Sequence, residues 1–80
     1  MRFVIEFLVF FDAIKESYPM HLELGYSKIT DWCIHIWRKG TGEDGKDQEV
    51  LLVQSNDLEY AFAKAQVMLK DWLIENTGGY

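Results

Sequence analysis

Eighty residues with one cysteine, Cys33, cannot be stiffened by an internal disulfide, and a chain this short buries only about 60–65% of its unfolded surface, so it needs a dense apolar core or a partner that adds one. The apolar material is present, at 49% hydrophobic and 15% aromatic residues. Thirteen acidic against eight basic side chains leave a formal charge of −5; phosphate backbones are gripped by clustered Lys and Arg, and here only Arg38 and Lys39 are adjacent, which argues against direct binding to nucleic acid or to an anionic membrane.

The apolar run from Phe3 to Phe11 resembles a targeting segment only at first sight. It spans about nine residues with Glu6 inside it, where a membrane span needs about 20. Asp12, Lys15 and Glu16 then arrive where a signal peptide would place a small-residue cleavage site. A lone thiol also fits a reducing compartment. The reading is a soluble cytoplasmic protein of one domain, residues 1–80.

Val4, Phe7, Leu8, Phe11, Ile14 and Tyr18 follow the three-four spacing of one helix face, and Pro19 ends that helix by restricting the residue before it. The β-branched and aromatic content of residues 2–11 also suits a strand, but the pattern runs on smoothly through Ile14, which favours helix. Phe3, Ile5, Val9 and Phe10 fall off the apolar face and call for a further neighbour.

From Met20 the period changes to two. Met20, Leu22, Leu24 and Tyr26 alternate with His21, Glu23 and Gly25, which predicts a half-buried strand. After a link at residues 26–31, Trp32, Ile34 and Ile36 alternate with Cys33, His35 and Trp37 as a second strand. Gly40 to Asp47 holds three glycines and no apolar residue, a mobile hairpin connection; Glu43, Asp44 and Asp47 and the lack of a following helix argue against a phosphate cradle. Residues 49–53 return as the third strand.

The last element is a helix from Asn56 to Asn76. Asn56 with Glu59 fits a capping box, Asp57 complements the helix N-terminus, and Gly78 supplies a left-handed cap. Leu58, Ala61, Phe62, Ala65, Met68, Leu69 and Trp72 lie on one stripe, with the two alanines allowing close approach to a sheet. The predicted fold is a two-layer α+β domain, α-β-β-β-α, with a three-stranded antiparallel sheet and both helices on one face. Its element order resembles the double-stranded RNA-binding domain. Where that family carries a lysine-rich start to its second helix, this chain has Ser55-Asn56-Asp57-Leu58-Glu59. An acidic helix end repels phosphates, so the likeness is one of topology and brings no RNA-binding residue with it.

With Trp32, Ile34 and Ile36 facing the helices, the open sheet face carries His21, Glu23, Cys33, His35 and Trp37. His21, Cys33 and His35 are weak zinc candidates, since no short-range ligand pair is present. A Cys–His nucleophile needs a pocket and an oxyanion hole that a flat sheet face lacks, so enzyme activity is not expected. Trp37, with Leu51 or Val53 beside it on the third strand, is expected to form an uncovered apolar patch of the kind that marks contact surfaces. Phe3 and Phe10 on the first helix are the other candidates.

Glu43, Asp44, Asp47 and Glu49 read either as a solvated loop or as an acidic surface that occupies a basic groove on another protein, imitating nucleic acid. The terminal Gly78-Gly79-Tyr80 is better read as a frayed helix end than as a conjugation tail. The expectation is a small acidic interaction domain, without cofactor, that binds another protein or a second copy of itself, as an accessory protein of a bacterium or phage would. The bets rest on Trp37, Phe3, Phe10, Leu51 and Val53, with Arg38, Lys39 and the acidic loop orienting the encounter.

Overall fold

The alternation of residues 20–37 folds back on itself as an antiparallel hairpin. In the computed structural model, which describes residues 1–40 and 42–79, β1 (His21–Ser27) pairs with β2 (Asp31–Arg38) in an unbroken register from His21 opposite Trp37 to Ser27 opposite Asp31. The turn closes locally: the Ser27 hydroxyl accepts from the Thr30 N–H at 3.0 Å and shares a hydrogen bond with the Thr30 hydroxyl at 2.8 Å. Asp31 takes a positive φ of 58°, which aspartate tolerates better than most residues. β3 (Gln48–Ser55) pairs antiparallel on the other side of β2, so the sheet order is β1-β2-β3.

Because cross-strand partners point to the same side of a pleated sheet, the register sorts the side chains. Leu22, Ile36 and Leu51 share one face, with Leu24, Ile34 and Val53 in the next row. The β2–β3 ladder shifts after Ile36, which faces Leu51, to Trp37, which faces Glu49. Val50 is the extra residue of a β-bulge, and Val50 and Leu51 are therefore both buried although they are consecutive.

The connection between β2 and β3 is tighter than its three glycines suggest. A 3-10 turn at Glu43–Gly45 is held by the Gly42 N–H donating to the Lys46 carbonyl at 2.6 Å, and the Gly40 N–H donates to Asp47 Oδ1 at 3.2 Å. A Cβ on Gly42 would sit 2.7 Å from the Lys46 carbonyl oxygen and 2.9 Å from that of Asp47. Thr41 of this loop and Tyr80 of the terminal tail lie outside the described residues.

Helix α1 (Arg2–Ile14) and helix α2 (Leu58–Thr77) cover one sheet face. α2 lies on β3 and β2 with Ala61, Phe62, Ala65, Leu69, Trp72 and Leu73 buried; Leu73 was not on the expected stripe. α1 lies along α2, and its buried Phe7 meets Phe62 edge-to-face at 5.4 Å between ring centroids. α1 ends at Ile14, short of Pro19, in a turn whose Ser17 and Tyr18 N–H groups both donate to the Ile14 carbonyl. Leu8, expected on the buried face, is exposed. The cover is also incomplete over the sheet, since Leu24 and Tyr26 on the helix side of β1 remain 49% and 59% exposed. Among the described residues no helix is long and apolar enough to cross a membrane.

The helix caps differ from the expected box by one residue. Asp57, not Asn56, is the N-cap of α2, accepting from the Tyr60 N–H at 3.0 Å. Glu59 reaches to the other helix instead. Its Oε2 accepts from the Phe3 N–H at 2.8 Å and its Oε1 lies 3.1 Å from the N-terminal ammonium, so a side chain of α2 caps α1. Burial opposes ionisation of Glu59 and is the largest single influence. The ammonium and the N–H groups of Phe3 and Val4 together outweigh it and hold the carboxyl below its ordinary value of 4.5. At the far end Gly78 adopts φ 81° and donates to the Ile74 carbonyl, as a left-handed cap does.

Two outcomes check this description. Gly42→Ala loses about 1–3 kcal/mol of stability in urea unfolding, because backbone oxygens cannot step aside as a flexible side chain can. Glu59→Gln is less stable than the parent chain at neutral pH. A depressed folded-state pKa contributes stability above the unfolded value and loses it as pH falls through the folded one, so the gap in urea midpoints closes on acidification below about pH 4.5; a gap unchanged to pH 2.5 contradicts the interhelical cap.

Candidate functional site

Trp37 sits on the open sheet face, opposite His21 on β1 and two residues beyond His35 on its own strand. That spacing brings three rings together. The His21 and Trp37 rings stack at 5.3 Å with planes 17° apart, and His35 stacks on Trp37 at 4.9 Å and 29°. His35 Nε2 is 3.3 Å from Glu49 Oε1, and Glu49 is opposite Trp37 on β3. His35, Trp37, Asp47 and Glu49 line a shallow cleft of about 240 Å3. Its walls are aromatic and its rim carries two carboxylates, a combination that favours a cation through ring faces and charge together. Leu52, opposite His35, is 44% exposed and extends the apolar surface of this face.

The residues bet on from sequence fall in three places. Trp37 is on the open face as expected. Leu51 and Val53 are not: at 2% and 3% exposure they belong to the core, because they face the inward Ile36 and Ile34. The run Val50-Leu51-Leu52-Val53 has no alternation to set its phase, and the bulge at Val50 shifts it. The aliphatic neighbour on the open face is Leu52, which sequence reasoning missed. Phe3 is exposed near the start of α1, with the Arg2 guanidinium 5.8 Å from its ring centroid. Phe10 packs partly buried against the core, with the Lys70 ammonium 5.1 Å from its ring.

The three weak metal candidates do not converge. His21 and His35 each lie against Trp37, and Cys33 is opposite Gly25 and Gln54. Among the described residues no three His, Cys, Asp or Glu side chains are placed to hold a metal ion.

A second cleft, of about 480 Å3, opens where α1 runs into β1 and is lined by Lys15, Glu16, Met20, His21, Arg38 and Lys39 among others. The Arg38 guanidinium lies 5.6 Å from the Trp72 ring centroid, with Nε buried and without a hydrogen-bond acceptor, so the ring face is its principal partner. Lys15 is tied to Asp12 at 2.5 Å; that hydrogen bond raises its pKa against the opposing effect of desolvation.

No family model, curated protein or solved structure matches this chain.

Substitution separates the two faces of β3. Leu51→Lys buries a charge in the core and costs more than about 3 kcal/mol, whereas Leu52→Lys stays within about 0.5 kcal/mol of the parent. Urea denaturation of both variants reads the difference, and equal losses contradict the assigned phase.

Proposed function

We propose that this chain is a non-enzymatic interaction domain of the cytoplasm, using its open sheet face to bind a protein segment that presents a lysine or arginine beside an apolar residue. The observation that carries the reading is the His21–Trp37–His35 stack beside the Asp47 and Glu49 carboxylates. A tryptophan held between strand neighbours is a rigid anchor that loses little entropy on binding, and tryptophan is enriched among the residues that dominate interface energy. The two carboxylates give the partner its chemistry: a cation over an aromatic wall, with Leu52 receiving the adjacent apolar side chain. The chain's net charge of −5 speeds encounter with a basic partner.

Panning a displayed random-peptide library against the full chain tests this. The expected peptides carry Lys or Arg next to an apolar residue, lose at least about tenfold in affinity with Trp37→Ala, and weaken with Glu49→Gln. Peptides indifferent to both substitutions defeat the reading. Binding that collapses with salt while ignoring Trp37→Ala points instead to an acidic surface occupying a basic groove.

A further inference from the structure

A three-stranded sheet has two edges, and here they are not alike. The β3 edge carries a bulge at Val50 and the charged Glu49 beside it, both devices that discourage another strand from adding. β1 has neither. Its seven residues contain no lysine, arginine or proline, and its register with β2 is unbroken along its whole length. The helix-side residues Leu24 and Tyr26 are left half open, although Ile34, Val53 and Ile36 in the same sheet face are buried.

We infer that β1 pairs with β1 of a second copy of this chain, antiparallel about a twofold axis at Leu24, joining two three-stranded sheets into one of six. The strand's own order supports that occupant. About this axis Leu24 meets Leu24, Leu22 meets Tyr26, and His21 meets Ser27. Glu23, the strand's one charged side chain, meets Gly25. Moving the axis to Glu23 sets two carboxylates face to face, and moving it to Gly25 shortens the ladder; only the axis at Leu24 uses all seven residues.

Gly25 is itself informative. A glycine weakens a strand interior, and nothing lies within 4 Å of where its Cβ would be, so the single chain offers no packing reason for it. Across the twofold it leaves room for Glu23 of the other copy. Leu24 and Tyr26 of both copies then form one apolar strip on the helix side, closed over a ladder about 23 Å long. A single edge-to-edge ladder without helix packing belongs with the weak, transient interfaces, and the dissociation constant expected of it is on the order of micromolar. The inference uses none of Trp37, Asp47 or Glu49; it shares with the open-face reading only His21, at the end of the ladder.

Light scattering on the full chain across a concentration series tests it. The parent mass rises from 9.4 kDa toward twice that value as concentration increases through the micromolar range. Gly25→Glu faces Glu23 with a second carboxylate on both sides of the axis and raises the dissociation constant about fivefold, less so in high salt. Gly25→Lys offers Glu23 an ammonium and lowers it by about threefold or more; a gain of this kind cannot come from misfolding, and far-UV circular dichroism confirms the fold of both variants. A parent that stays at 9.4 kDa up to millimolar concentration overturns the inference. So does a dimer that ignores both substitutions, or one that both weaken alike.

Discussion

One apolar layer is all that 80 residues can fill, and the rest of the architecture follows from where that layer lies. Phe62, Leu69, Leu73 and Phe7 from the helices meet Ile34, Ile36, Leu51 and Val53 from the sheet, all essentially out of water. Burial at about 25 cal/mol per Å2 of apolar surface is the dominant favourable term for such a domain. The buried alanines Ala61 and Ala65 give α2 a low surface toward the strands. Both helices lie on one side, and among the described residues no helix covers the other, which leaves the face with Trp37 open.

The same shortage shapes the margins. α1 follows α2, against which its Phe7 and the backbone clasp at Glu59 hold it, and the cover stops before the far half of β1. Glu59 joins two helix starts that both carry orphan N–H groups: Asp57 answers those of α2, which frees Glu59 to answer those of α1. Acidic residues in this region thus have structural work within the chain, and the start of the second helix faces its own neighbour.

Much of the fold was legible because local signals are strong and independent of context. The three-four spacing from Val4 to Ile14, the alternation on either side of the first turn, and the stripe from Leu58 to Trp72 each name an element from the geometry of a single helix or strand, though Tyr18, on the same spacing, lies beyond the end of α1. The inward placing of Ile34 and Ile36 was legible for the same reason, and with it the outward placing of Trp37. Leu51 and Val53 were misplaced because four consecutive apolar residues carry no phase, and a one-residue bulge turns a strand over. Of the candidate site, Trp37, His21 and His35 could be assigned to a common face from alternation alone. Their stacking, and the meeting of His35 with Glu49, depend on cross-strand register.

The sequence by itself determined the element order, the antiparallel hairpin and which side of β2 meets the helices, since these depend on periodicity and on turn residues within a few positions. Only the tertiary structure decided the phase of β3, the partner of Glu59 and the exposure of Leu24 and Tyr26. Those turn on distances between segments up to 56 residues apart in the chain. No local pattern records how far a helix reaches over a sheet or which of two helix ends a carboxylate will find.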